Sequence, residues 1–155
     1  MSYPTDPKSI AVRDRVITVL RAIVQGNDYF FTSVVFDNWK HFKEILEFPS
    51  YEVYFGPSQP LQHLSGGVAQ ETFTLIVHGR IQSDDPPGDV RRAIQDVRRA
   101  LLADRINGAA GALSSLLLTM FVGASQTDNG EEAEKGFGWF NQEFICTMYG
   151  AVEDL

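Results

Sequence analysis

Residues 69–82, AQETFTLIVHGRIQ, alternate between apolar and polar side chains and predict one long β-strand. Gly79 interrupts the alternation and predicts a β-bulge. Such alternation is typical of a strand with one face on the core and the other in solvent. The apolar members are expected to face the core: Phe73, Leu75, Val77 and Ile81.

The segment after this strand predicts an amphipathic helix. Residues 84–89, DDPPGD, combine acids that favour a helix N-terminus with prolines suited to its first turn. Asn107-Gly108 is a typical helix end. The same acids could form a cation site, but alternating carboxylates and a distal bidentate Glu are missing, which favours helix capping. The apolar side chains follow helical spacing: Val90, Ile94, Val97 and Leu101.

The N-terminal half predicts one more helix and two more strands. Residues 7–25 have helical spacing, with Asp6 as the cap and Pro7 in the first position. Residues 29–36 are aromatic and β-branched and predict a strand, whereas residues 37–48 are ambiguous. A short strand is expected around Tyr51, followed by a long loop over residues 56–67.

The C-terminal half predicts the remaining strands. Residues 109–122 indicate a short helical turn and then a buried strand through Leu117, Thr119 and Phe121. Residues 137–149 alternate and predict a final strand, with Phe140, Phe144 and Met148 on its core face. Because helices and strands do not alternate strictly, we expect an α+β fold: a single, mainly antiparallel sheet with two amphipathic helices packed on one face.

Length and charge limit the classes of protein. The 155 residues correspond to one domain, with an irregular lead-in at residues 1–6 and an acidic loop at residues 124–136. Residues 124–155 hold seven acids and one base, or 1 − 7 = −6 of the net −7, so the first 123 residues carry only −1. This balance argues against a broad nucleic-acid-binding surface. The chain has no long apolar run and no apolar signal core at its start, and its one cysteine fits a reducing cytoplasm.

The sequence contains no recognisable catalytic motif. Its three histidines, at positions 41, 63 and 78, have no metal-ligand spacing with one another or with Cys146. Gly66-Gly67 lacks the Lys-Ser/Thr pair of a phosphate loop, and Ser114-Ser115 lacks the glycines of a nucleophile elbow. We therefore expect a protein that is not an enzyme and that uses no cofactor or metal ion.

A set of basic side chains predicts a ridge on the second helix, opposite its apolar face: Arg91, Arg92, Arg98, Arg99 and Arg105. Asp96 is placed to pair with Arg92, and Asp104 with its neighbours. One interpretation is a solvated helix face. The other is a contact with the acidic region 124–155 of an adjacent identical subunit.

The order and texture of these segments resemble the tail terminator, or tail completion, proteins of long-tailed bacteriophages. The resemblance rests on the helix at residues 13–24, Phe48-Pro49 before a short strand, and the long strand at 72–81. It continues through the helix at 90–104 with Asn107-Gly108, and the acidic turn at 128–130 before the last strand. It spans nearly the whole chain.

The resemblance implies a structural virion protein, present in the host cytoplasm during assembly. It implies a six-fold ring that caps the head-proximal end of the tail tube, stops tube growth and presents a surface to the head–tail connector. Its partners would be further copies of the chain, the tail tube protein, the connector and a tail sheath protein, with no membrane and with DNA only passing through the lumen. The loop positions assigned to neighbouring subunits or partners are Pro57, Gln59, His63, Asp84, Asp85, Glu131, Glu132 and Glu134.

Two other classes of function stay open from the sequence. One is another phage neck or tail-tube component. The other is a small cytosolic enzyme or an oligomeric binding module. Perturbed titratable groups in a deep pocket would favour the enzyme, whereas a flat interaction surface would favour the ring.

Overall fold

A computed structural model describes residues 6–26, 28–37, 40, 44–128 and 133–155. The two long helices are α1 (Lys8–Arg21) and α2 (Pro86–Arg105), and a short helix α3 spans Leu113–Leu116. The described strands are β1 (Val34–Phe36), β2 (Ser50–Ser58), β3 (Gln62–His63), β4 (Val68–Gln82), β5 (Thr119–Thr127) and β6 (Phe137–Ala151).

The strands form one mixed, mostly antiparallel sheet in the order β1-β2-β4-β6-β5, with β3 paired to the start of β4. Among the described strands, only the β1–β2 pair is parallel. Strands β4 and β6 are its spine, because each has 15 residues and they pair from Val68↔Ala151 to Gln82↔Phe137. The predicted α+β fold is confirmed.

The core lies between the sheet and helices α1 and α2, which cover one face. The apolar stripe predicted for α2 is buried, as are the predicted core residues of β4 and β6. Asp85 caps α2, since its carboxylate accepts a hydrogen bond from the Gly88 amide at 3.3 Å. We call the helix-covered face of the sheet the inner face and the opposite face the outer face.

Gly79 does not form the predicted bulge. Its pairs with Tyr51 and Phe140 are in register on both sides. A Cβ at Gly79 would lie 2.1 Å from Cε1 of Phe140, so the glycine makes room for that ring instead. The register shifts occur elsewhere, between Phe55 and Ser58 in β2 and between Val122 and Ser125 in β5.

Two predictions for the N-terminal region were wrong. Helix α1 begins at Lys8 with Pro7 in the capping position, and no side chain caps it, so Asp6 does not play that role. The strand predicted at 29–36 is only β1. Its first part cannot join a ladder because the amides of Phe30 and Phe31 donate to Asp96 of α2 at 3.0–3.1 Å.

Two other segments also differ from the prediction. The loop predicted at 56–67 is partly strand, because β2 runs to Ser58 and β3, at Gln62–His63, pairs with Ala69 and Gln70. In β5 the predicted inward face is inverted: Phe121 is 63% exposed, and its neighbour Met120 is buried. The ambiguous stretch 37–48 and the acidic turn at 128–130 lie partly outside the described residues.

Candidate interaction surfaces

The loop residues predicted to contact neighbouring subunits or partners lie at two opposite ends of the sheet. We call the end with Asp84, Asp85, Asp89 and Glu134 the acidic end. The Ser83 amide donates to the Gly136 carbonyl at 2.9 Å, which joins the β4–α2 turn to the β5–β6 connection. Asp84, Asp85 and Glu134 are exposed there. Glu131 and Glu132 lie outside the described residues.

Arg92 also belongs to the acidic end. Its guanidinium contacts Asp89 at 2.6 Å and Asp85 at 3.4 Å, and these carboxylates raise the pKa of the arginine. The predicted pairing of Arg92 with Asp96 was wrong, because Asp85 and Asp89 take its place. The charge of Arg92 is therefore used within its own subunit.

The other end carries Pro57, Gln59 and His63. They belong to residues 57–70, which we call the uncharged arm because the segment contains no Asp, Glu, Lys or Arg. The three side chains are exposed. A 15-residue strand spans about 50 Å, so β4 and β6 hold the acidic end and the uncharged arm about that far apart.

The five arginines of α2 do not form the uniform ridge predicted from their spacing. Arg98 donates to Gln142 of β6 at 3.0 Å and to Ser125 of β5 at 3.3 Å. Arg99 and Arg105 donate to the carbonyls of Asp28 and Leu118. Together with Arg92, four of the five arginines bind groups of their own chain.

Asp104 holds the helices together. Its carboxylate accepts two hydrogen bonds from Arg15 of α1, at 2.6 and 2.9 Å, and one from the Leu113 amide of α3 at 2.9 Å. The Arg15 guanidinium is the main reason that the pKa of Asp104 is lowered. The prediction that Asp104 pairs with neighbours on its own helix was wrong; its partners come from α1 and α3.

Asp96 is fully buried and anchors the chain that follows α1. Burial raises the pKa of its carboxyl, although the amides of Phe30 and Phe31 oppose that shift. Asp96 and Asp104 are therefore both structural, and neither offers charge to a partner.

The outer face carries a polar cluster that the sequence did not indicate. Glu52, His78, Arg80 and Asn141 meet there because the register aligns β2, β4 and β6. Arg80 lies 3.7 Å from Glu52 and donates to His78 Nε2 at 3.1 Å. Since Nε2 accepts, Nδ1 carries the hydrogen and donates to Asn141 Oδ1 at 2.7 Å.

The backbone of Lys40 closes this cluster. Its amide donates to Glu52 at 2.9 Å, and its carbonyl accepts from Arg80 at 2.8 Å. Burial is the main reason that the pKa of His78 is lowered, with the positive charge of Arg80 adding to the effect. The cluster therefore contains a neutral histidine and fastens a loop to the sheet.

Next to this cluster the outer face is open and apolar. We give the name outer patch to Tyr54, Ile76, Phe121, Glu143 and Ile145. Tyr54 pairs with Ile76, Ile76 with Glu143, and Ile145 with Phe121, so they lie side by side across four strands. Tyr54, Phe121 and Ile145 are 42%, 63% and 36% exposed. Exposed apolar clusters of this kind mark interaction sites.

The described residues contain no group of three or more His, Cys, Asp or Glu placed to hold a metal ion. Cys146 is buried, and burial raises the pKa of its thiol to about 12. A groove of about 380 Å³ lies between α1 and α2, but Arg15 and Asp104, the charged groups in its lining, bind each other. Within the described ranges, no helix is long and apolar enough to cross a membrane.

The sequence was compared with protein families and with curated proteins. No protein-family model and no curated protein matches this chain.

Proposed function

We propose that this chain is a tail terminator subunit: a structural protein that forms a ring on the head-proximal end of a phage tail tube, stops tube growth and offers its other side to the connector. The proposal joins the whole-chain resemblance to one structural observation. That observation is the difference in chemistry between the acidic end and the uncharged arm, at opposite ends of the same two strands.

The difference between the ends matters because of how tubes grow. A tube of stacked identical rings renews its growing face at each addition. A terminator must match that face on one side and fail to reproduce it on the other. The two ends of the subunit are unlike: one carries the exposed carboxylates of the acidic end, whereas the other carries the amide and imidazole groups of the uncharged arm, beside the exposed Glu153 and Asp154 that follow β6. A ring of such subunits therefore has two unlike faces, which meets this requirement.

The ring also strengthens weak contacts. A contact of about 4 kcal/mol has only millimolar affinity alone, but several contacts made together by one ring become effectively irreversible. Loops at the two ends of each subunit are therefore sufficient to hold a tube on one side and a connector on the other. The tail sheath protein is a further candidate partner outside the ring, and DNA would only pass through its lumen.

The first test is assembly on tail tubes. The purified chain is expected to give a hexamer in native mass spectrometry and to decorate one end of tail tubes in electron micrographs. In a terminator-deficient phage, it should restore tails of uniform length that join heads. A chain that binds no tube end and leaves tail length uncontrolled contradicts the proposal.

The second test separates the arm from the fold. Gln59, Gln62 and His63 are exposed, so replacing all three with alanine should leave the melting temperature and the oligomer nearly unchanged. Attachment to the tube or to the connector should weaken. Substitution is preferable to deletion, because β3 pairs with Ala69, which is fully buried. A matched control is the same change at Gln25, which is exposed just after α1 and lies outside the arm. If the triple variant complements fully, the proposed role of the arm is wrong, but the proposed function still stands.

A further inference from the structure

Glu143 is an acidic side chain in an apolar setting. It lies in the middle of the outer patch, opposite Ile76 on β4 and two residues from Ile145 on β6. It is half-buried, and in the described part of the chain its carboxylate has no ion pair or hydrogen bond. Burial is the main reason that the pKa of Tyr54 is raised, and the negative charges of Glu52 and Glu143 add to the effect. A carboxylate in such a setting is stabilised when a partner brings a complementary cation to it.

The space beside Glu143 is open because of Gly123. A Cβ at this glycine would lie 3.1 Å from Cβ of Glu143 and 3.5 Å from its Oε2. Strand β5 bulges at this point, and the buried Gln142 fixes the bulge by donating to the carbonyls of Gly123 and Ala124 at 3.2 and 3.4 Å. The notch next to the carboxylate is therefore held rigidly rather than formed by a loose loop.

The chain carries one matching group on its opposite side. Arg91 of α2 is exposed, and among the described lysines and arginines it is the one with no ion pair, hydrogen bond or ring contact. Gln95, Leu102 and Ile106 continue its stripe along the helix at i+4, i+11 and i+15. Leu102 and Ile106 are 42% and 86% exposed, so this stripe is basic at its start and apolar at its end.

The stripe on α2 and the outer face of β6 present a charged group and then an apolar group in the same order and at similar distances. The helix rise places Leu102 about 16 Å from Arg91. The strand rise places Tyr149, which is 47% exposed on the outer face, about 20 Å from Glu143. On both elements the charged residue comes first and the apolar residue lies nearer the uncharged arm. The stripe of one copy therefore matches the outer face of another when the two copies have the same orientation.

We infer that the occupant of the outer patch is α2 of a second copy of this chain, with Arg91 of that copy bound to Glu143 in the notch beside Gly123. The inference rests on the proposed ring and identifies the contact that would build it. Patch and stripe lie on opposite layers of the subunit, so the contact is head-to-tail, and a constant rotation between copies closes such contacts into a ring. It also places a helix on the face of the sheet that has none in the described structure.

Charge reversal tests the contact. Arg91→Glu and Glu143→Arg should each weaken association about tenfold or more, because each replaces attraction with repulsion at every contact between copies. The double variant restores opposite charges at every contact and should recover the oligomer. Arg13→Glu and Glu153→Arg are matched controls, since both positions lie outside the patch and the stripe. Sedimentation velocity measures the oligomer, and circular dichroism checks that each variant is folded.

The outcomes separate this inference from the proposed function. Loss in both single variants with recovery in the double variant supports the contact. A wild-type ring that is unaffected by either single reversal, or a double variant that does not recover while remaining folded, overturns the contact and leaves the proposed function standing. A wild type that stays monomeric, both alone and with tube ends, overturns both.

Discussion

Removal of Asp104 should destabilise the fold strongly, because one carboxylate joins three helices. The side chain of Asp104 is 6% exposed and that of Arg15 is 29% exposed. Breaking a buried ion pair costs about 3–5 kcal/mol, and the partial exposure of Arg15 places this pair near the low end. Asp104→Ala should therefore lower the free energy of unfolding by about 3 kcal/mol. For a chain of this size, that lowers the melting temperature by about 6–12 °C.

The effect can be assigned to the pair by a double-mutant cycle with Arg15→Ala, measured by urea unfolding. We expect a coupling energy of about 2 kcal/mol, since the residues share two hydrogen bonds. The effect should also depend on pH. Asp104 has a lowered pKa in the folded state, so its contribution is complete above its ordinary pKa of 3.8 and is lost as the pH falls below it. A coupling energy below about 0.5 kcal/mol, or a loss from Asp104→Asn that is unchanged at low pH, would refute this account.

Two further predictions concern the two faces of the sheet. Phe144 is 1% exposed on the inner face, so Phe144→Ala should lower the free energy of unfolding by about 3–5 kcal/mol. The control Ile145→Ala, on the outer face, should lower it much less in the same thermal unfolding measurement. Equal losses would contradict the assignment of Phe144 to the core face of β6. His78 has a folded-state pKa below its ordinary 6.5, so its stabilisation is complete above that pH and declines as the pH falls. His78→Gln should flatten this decline below about pH 6.5. An unchanged pH profile in the variant would show that His78 does not titrate as its contacts require.

Local patterns predicted the elements that depend on their own sequence. Strand β4, helix α2 and the inward face of β6 follow from alternation or helical spacing, because burial on one side imposes that period. The prediction was wrong where a residue far away in the sequence determines the local conformation. The segment before β1 is not a strand because Asp96, 65 residues or more away, takes its amides. Gly79 is explained only by Phe140, which no local pattern reveals.

For the candidate surfaces, too, local spacing predicted some features, whereas contacts between distant residues determined the others. Spacing correctly placed Arg91 on the exposed side of α2, but it could not show that Arg98 reaches Gln142, which lies 44 residues away. The outer patch was missed because Tyr54, Ile76, Phe121 and Glu143 come from four strands and meet only through the register. Periodicity identifies the side of an element that faces outward, whereas pairing determines which outward side chains become neighbours.

The unbroken pairing of β4 with β6 has a mechanical consequence. Hydrogen bonds in an antiparallel ladder are perpendicular to the strands. A pull between the acidic end and the uncharged arm would therefore act along both strands and load the ladder in shear, so that many bonds resist together. A pull on one edge of the sheet would instead peel the bonds apart one after another. The subunit is built to be stiffest along the line that joins its two ends.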